Sequence, residues 1–350
     1  MNSIQQFILT AKENKASDLL ISVGKPPMIR RNAKLISLEF PEVKEDAITS
    51  LVQELLCEPY NQFLKERGEA EFVVPISGAG RVRVNLFRHM GQYALSCRLI
   101  TNQLPSLIEL GLPEAITNLT HKKRGMILVT GPSASGKSTT LASLVDDINA
   151  SRQTHIITLE KPVEYVYQDK LSVVNQREIG RDTVDYITGL RAALKEHPDV
   201  ILIDELKDTD TVEMALTAAE SGHLVLAGVH TTGVVNTINY LVGMFSQAKQ
   251  QQIQSRFAYI LEAVLSQQLI PMQDGTDSVV AFEIMQSQNV IRNLIREGKT
   301  HQIDSIMQTG QKQGMQTMDD AVYELYLKRK IDAATALDYA VDPFIFEKKL

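Results

Sequence analysis

Midway along the chain, Gly131-Pro-Ser-Ala-Ser-Gly136-Lys137-Ser138 satisfies the pattern G-x-x-x-x-G-K-[ST] at every fixed position, and few folds can present such a segment. The apolar run Met126-Ile-Leu-Val129 precedes it, while Leu141, Leu144, Val145 and Ile148 follow at helical spacing. The segment therefore joins a buried strand to an amphipathic helix. Its glycines let backbone N–H groups turn inward around phosphate oxygens, and the helix N-terminus adds partial positive charge. In this geometry Lys137 reaches the β- and γ-phosphates and the Ser138 hydroxyl ligates Mg²⁺. Gly131, Pro132, Ser133, Ala134, Ser135, Gly136 and Thr139 complete the expected cradle for ATP.

Three further apolar runs, His155-Ile-Ile-Thr-Leu159, Val200-Ile-Leu-Ile203 and Leu224-Val-Leu-Ala-Gly-Val229, are separated by helical patterns such as Val212, Ala215, Leu216 and Ala219. Buried strands alternating with helices predict an α/β domain with a parallel sheet covered on both faces. Beyond Pro271 the pattern turns mostly helical, with Thr317 as a cap before the stripe Val322, Leu325 and Tyr326. The first hundred residues differ in style. Helices are expected at Ile4–Lys12 and Glu45–Cys57, the latter closed by Pro59, and strands at Leu19–Val23, Lys34–Leu38, Arg81–Phe87 and Tyr93–Leu99. The expected organisation is a smaller domain over 1–100 and a nucleotide-binding domain over 101–350, whose part from about 271 is helical.

Val200-Ile-Leu-Ile-Asp204-Glu205 has the form of a Walker B element, an apolar strand ending in two carboxylates. Such a strand end sits beside the phosphate loop, where metal and attacking water belong. Adjacent residues face opposite ways, so Asp204 and Glu205 are expected to divide the work, one orienting the metal and its water shell and the other polarising the nucleophilic water. The reading leaves open which does which, and assigns Ser138, Asp204 and Glu205 to the metal.

Composition removes several alternatives. The net charge of -6 gives no general attraction for nucleic acid or anionic lipid. Two cysteines, Cys57 and Cys97, are too few for a disulfide framework and fit a reducing cytoplasm. No apolar run approaches the roughly 18 residues needed to cross a bilayer, and the first residues lack a signal-peptide core.

Four more segments, Glu160-Lys-Pro-Val-Glu164, Val174-Asn-Gln-Arg-Glu178, Leu216-Thr-Ala-Ala-Glu-Ser-Gly-His-Leu224 and Val229-His-Thr-Thr232, resemble the secretion-ATPase superfamily. Together with Ala16-Ser-Asp-Leu-Leu20, Pro26-Pro-Met-Ile-Arg30 and Ile291-Arg-Asn-Leu-Ile-Arg-Glu297, they look most like its type IV pilus retraction (twitching motility) ATPases. The resemblance implies a PAS-like α+β domain followed by a RecA-like P-loop ATPase domain. It also implies a homohexameric, ATP-hydrolysing motor on the cytoplasmic side of the inner membrane. Its implied partners are a pilus platform protein in that membrane and a paralogous pilus ATPase. By position, Glu160 and Glu164 fall in the family's acidic box, Glu205 on its catalytic glutamate, and His223 and His230 in its histidine box. Arg81, Arg83 and Arg98 match arginines that the family uses to neutralise phosphate charge. The absence of the repeated Cys-x-x-Cys pair carried by assembly and export members favours retraction and implies no zinc.

The sequence also departs from the family pattern. Lys161 replaces an acidic residue, Asp204 a glycine and Lys207 an arginine, and an exchange of lysine for arginine loses the planar fork. Tyr240, Ser246 and Pro271-Met272 differ as well. These changes set a second expectation beside the motor: a weakly hydrolysing accessory subunit that depends on a partner ATPase. A nucleic-acid motor is disfavoured by the acidic balance and by the lack of a basic stretch interleaved with aromatics.

Overall fold

The computed structural model describes residues 3–31, 34–56, 58, 60–100, 104–275 and 278–348, so Cys57 and Pro59 lie outside the described residues. Two compact units emerge. One holds Met1–Gln103 with the short segment Pro162–Val166, the other Leu104–Lys161 with Tyr167–Leu350.

The first unit contains β1 (Asp18–Ser22), β2 (Met28–Arg31), β3 (Lys34–Ser37), β4 (Glu69–Ile76), β5 (Gly80–His89) and β6 (Gln92–Leu99). They form an antiparallel sheet in the order β3-β2-β1-β6-β5-β4. Helix Ile4–Glu13 starts where the Ser3 hydroxyl accepts the Gln6 N–H, and it buries Ile4, Phe7, Ile8 and Ala11. Helix Glu45–Leu55 buries Ile48, Leu51, Val52 and Leu55. Both stripes close over one sheet face with Phe72, Val82, Val84, Leu86 and Cys97. Burial pushes the Cys97 thiol up to about 12, so it packs as an apolar group. Three elements have no counterpart in the sequence pattern: β2, β4 and helix Tyr60–Arg67. Pro26-Pro27 masks the start of β2, and Glu69 and Glu71 break up the apolar character of β4.

The second unit contains β7 (Gly125–Thr130), β8 (His155–Glu160), β9 (Val173–Glu178), β10 (Val200–Ile203), β11 (Leu224–Val229), β12 (Leu261–Pro271) and β13 (Ser278–Gln286). Their order is β13-β12-β7-β11-β10-β8-β9, parallel throughout except for the β12–β13 pair. Alternate residues of each inner strand serve two cores. Ile127, Val129, Leu224 and Leu226 pack with Leu141, Leu144, Val145 and Ile148 of helix Lys137–Ser151. Met126, Leu128, Val225 and Ala227 pack on the other face with Val212, Ala215, Leu216 and Ala219 of helix Thr209–Glu220. This is the covered parallel sheet that the apolar runs predict. Gly228 is fixed by close approach, because a Cβ there would lie 2.0 Å from the Asp204 carbonyl oxygen.

Beyond Pro271 the chain first adds a strand and only then turns helical. In β13 the buried residues are Ala281, Phe282, Ile284 and Met285, a spacing that imitates a helix because the strand is covered on both faces. Helices Asn289–Arg296, Ile303–Thr309, Met318–Leu327 and Ala333–Tyr339 follow. The Thr317 hydroxyl caps the third of these, accepting the Asp320 N–H at 3.2 Å, and Val322 joins a small core with Ile270, Ala281 and Phe346. No helix among the described residues is long and apolar enough to cross a membrane.

Candidate nucleotide site

In the second unit the loops that follow β7, β10 and β11 all emerge at the C-terminal edge of the parallel sheet, where α/β folds place their ligands. Between β7 and helix Lys137–Ser151, the loop takes positive φ at Gly131 (+153°), Ala134 (+62°) and Gly136 (+89°). At Gly131 a Cβ would lie 2.4 Å from the Gln267 carbonyl oxygen and 2.5 Å from Ser135 Oγ, so only glycine fits there. Pro132, Ser133 and Ala134 are exposed at the tip, while Ser138 and Thr139 are half-buried in the first helical turn, where backbone N–H groups point out of the helix end. The buried hydroxyls of Ser135 and Thr140 have no hydrogen-bond partner among the described residues. The loop is thus a positively polarised concavity with donors to spare, which fits nucleotide phosphates.

Lys137 is 8% exposed, and its Nζ donates to the carbonyl oxygens of Gly131 and Pro132, both at 2.8 Å. It also lies 3.2 Å from His230 Nδ1. Burial lowers the pKa of this ammonium, while Asp204 and Glu205 draw it back up. Because His230 Nδ1 accepts from an ammonium, the ring proton sits on Nε2, 3.8 Å from Glu205 Oε1. Burial, then the charge of Lys137, lowers the His230 pKa against the opposing pull of Glu205, so the imidazole is neutral at pH 7. Lys137, His230 and Glu205 therefore form one chain of contacts.

Asp204 and Glu205 face different neighbours. The Asp204 carboxylate accepts the Lys161 N–H at 3.3 Å, on the β8 side, while Glu205 faces His230 and, at 3.8 Å, Lys207. Glu160, at the end of β8, is 9% exposed and accepts from the Thr158 hydroxyl and from Gln176 Nε2 at 3.1 Å. Tyr186 belongs to the same neighbourhood. Burial, then Asp204, Glu205 and Glu160, raises its hydroxyl pKa, and Lys207 lies 5.6 Å from its ring centre. Tyr186 and Gln267 carry no motif in the sequence. Long-range packing brings them here, and the one local feature beside Tyr186 is the helix cap Asp185, which accepts the Thr188 N–H.

His223 lies elsewhere in this unit. It precedes β11, whereas His230 follows it, and a strand of this length separates them by about 20 Å. Its Nδ1 contacts the Pro198 carbonyl oxygen at 2.7 Å. Among the described residues, no group of three or more His, Cys, Asp or Glu side chains is arranged to hold a metal by itself. Ser138 and the two Walker B carboxylates are hard oxygen donors, which suits Mg²⁺ shared with phosphates and water.

The first unit holds the remaining candidates. Arg81 Nη2 donates to the Val163 carbonyl oxygen at 2.6 Å. Arg83 bridges Glu71 at 2.7 Å and Glu164 at 2.8 Å. Arg98 pairs with Asp18 at 2.9 Å, and Arg30 meets the same carboxylate at 3.7 Å. Arg30, Asp18, Arg98 and Arg83 are successive cross-strand partners in one row of the sheet. The acidic box is thus divided, with Glu160 in the second unit and Glu164 in the first.

The family described as Type II/IV secretion system protein matches residues 60–336. The chain belongs to that family. It is 38% identical over 340 residues to the Type IV pilus retractation ATPase PilT of Pseudomonas aeruginosa, covering 97% of this chain and 98% of that one. It is 32% identical over 328 residues to the Type IV pilus ATPase PilU of the same organism, covering 94% and 86%. Among solved structures, the pilus retraction motor PilT with bound ADP superposes with a TM-score of 0.91 at 40% identity, covering 99% of this chain and all of that one (100%). The Legionella pneumophila ATPase DotB shares the fold, with a TM-score of 0.80 at 24% identity over 95% of this chain and 94% of that one. The α/β architecture with a smaller antiparallel unit before it, and the capacity to bind nucleotide, are properties of this lineage.

Proposed function

We propose that this chain is an ATP-hydrolysing motor that drives type IV pilus retraction and twitching motility. One observation carries the reading: the Lys137–His230–Glu205 contacts at the sheet edge, in a chain that aligns over 97% of its length with a retractation ATPase. Residues Gly131 to Thr139 cradle the phosphates. Lys137 exchanges the loop carbonyls for phosphate oxygens, and Glu205 polarises the attacking water. His230, in contact with both, transmits nucleotide state to β11 and the helix after it. Ser138 and Asp204, with Glu205 close by, would hold Mg²⁺, which supplies charge neutralisation across the phosphates. On the family resemblance, Glu160 and Glu164 are assigned to the acidic box, His223 to the histidine box, and Arg81, Arg83 and Arg98 to phosphate charge.

The mechanical reading extends this chemistry. ATP binding, hydrolysis and product release drive a cycle of conformational change that turns binding energy into mechanical displacement. A homohexamer on the cytoplasmic face of the inner membrane would deliver that stroke to a pilus platform protein.

A second reading has its own support. Lys207 stands 3.8 Å from Glu205, where its charge competes for the carboxylate that would polarise water, and this favours a weakly hydrolysing accessory subunit that depends on a partner ATPase. Steady-state ATP hydrolysis across protein concentrations separates the two. Turnover that rises as subunits assemble supports the autonomous motor. Binding without turnover supports the accessory subunit.

A further inference from the structure

The chemistry at the sheet edge depends on two loops staying in register, and one strand touches both. Ser266 and Gln267 are consecutive, fully buried residues of β12, and Ser266 is the register partner of Thr130, the last residue before the phosphate loop. Consecutive strand residues point to opposite faces, so the pair reaches out both ways. On one face, Gln267 Nε2 donates to the Ser135 carbonyl oxygen at 2.6 Å. On the other, Ser266 Oγ accepts the Gly233 N–H at 2.9 Å, in the turn that carries His230. Glu283, the β13 partner of Ser266, accepts the next N–H, that of Val234, at 3.0 Å.

The Gln267 contact has a directional consequence. In a planar trans peptide the C=O and the following N–H point opposite ways. Fixing the Ser135 carbonyl against β12 therefore aims the Gly136 N–H away from β12, as a phosphate donor must be aimed. Both ends of the loop also rest on this one residue. A Cβ at Gly131 would meet the Gln267 backbone oxygen at 2.4 Å, and one at Gly136 would meet Nε2 at 3.2 Å.

We infer that Gln267 is a positioning residue that sets the phosphate loop for nucleotide binding, and that Ser266 separately positions the His230 turn for the hydrolytic step. The inference rests on the reading of Gly131 to Ser138 as the phosphate cradle.

The test compares Gln267→Met, which keeps the bulk of the side chain, with Ser266→Ala in the full chain. ATP affinity is read by direct titration, turnover by kcat and KM, and folding by melting temperature. Gln267→Met should weaken ATP binding about tenfold, as expected for one lost hydrogen bond to a well-placed carbonyl. Its kcat at saturation should stay near the wild-type value. Ser266→Ala should bind ATP normally and lose about tenfold in kcat, a loss of the same size at a different step.

Gln267→Glu keeps the inference falsifiable if the methionine variant does not fold. Protonated, the introduced carboxyl can donate to Ser135; ionised, it repels that carbonyl. Its ATP affinity relative to wild type should therefore fall as pH rises, with Lys137, Asp204, Glu205 and His230 the charged and titratable groups around the loop in both proteins. A folded Gln267→Met that binds ATP within twofold of wild type would overturn the inference, as would a pH-independent affinity ratio for Gln267→Glu. So would joint changes in kcat and affinity that merely track a lowered melting temperature. Wild-type protein that binds no ATP would instead end the reading of the site, and with it this inference.

Discussion

The two units hold their charges in opposite ways. At the sheet edge of the second, Lys137 is buried, and its Nζ is met by two backbone carbonyls and an imidazole. In the first, Arg98 is exposed and Arg83 partly exposed, and both are already paired, with Asp18 and with Glu71 and Glu164. A buried cation whose direct contacts are all neutral acceptors, with Asp204 and Glu205 acting only from further off, still has a direct ion pair to make, whereas an exposed pair has made its own and is worth little. A phosphate therefore gains far more from the first kind of site than from the second. The same contrast orders the expected effects of mutation.

Lys137→Ala should have the largest effect, lowering ATP turnover by about 10³-fold or more, because it removes a preorganised cation where charge develops. Near-normal steady-state turnover in that variant would erase the distinction between the two units.

Next comes the scaffold of the second unit. Burial pushes the Glu283 carboxyl up to about 7 from its usual 4.5. The folded value lies above the unfolded one, so the stability it contributes is complete below about pH 4.5 and lost as pH rises through about 7. Ionisation there costs about 3 kcal/mol. Melting temperature should fall from pH 5 to pH 8, and Glu283→Gln should flatten that fall. An unchanged slope in the variant would remove Glu283 as its cause.

In the first unit, Asp18→Ala strips Arg98 and Arg30 of a shared carboxylate that is itself 6% exposed. Denaturant unfolding should register a loss of about 1–3 kcal/mol, with turnover per folded protein little changed. Arg83→Ala should be the mildest in stability, under about 1 kcal/mol, because its ion pairs are partly exposed. Its turnover should fall by several-fold if the phosphate assignment is right. Full activity would leave Arg83 a structural residue of its own sheet.

How much of this was legible in the sequence follows the same divide. The phosphate loop and the Walker B strand announce themselves because their function requires one local backbone shape and one run of apolar residues. The inner strands β7, β10 and β11 could be read because both faces are buried. β9 could not, since it is an edge strand exposing Val173 and Asn175. β13 was hidden by a helix-like burial spacing. Gln267 and Tyr186 reach the site only because β12 pairs with β7 and because helix Tyr186–Ala193 packs near the Walker B carboxylates, facts of topology that no short window contains. His223 shows the converse, for a motif can name two histidines while the strand between them carries one away from the loop.

On the proposed function, the sheet edge of the second unit is a hydrolytic centre in which binding and water activation rest on different residues. Glu205→Gln tests it most directly, with ATP affinity and steady-state turnover measured on the same purified protein beside wild type. The variant should bind ATP as wild type does while turnover falls about 10²–10⁴-fold, the range expected for a missing general base. Turnover equal to wild type would contradict it.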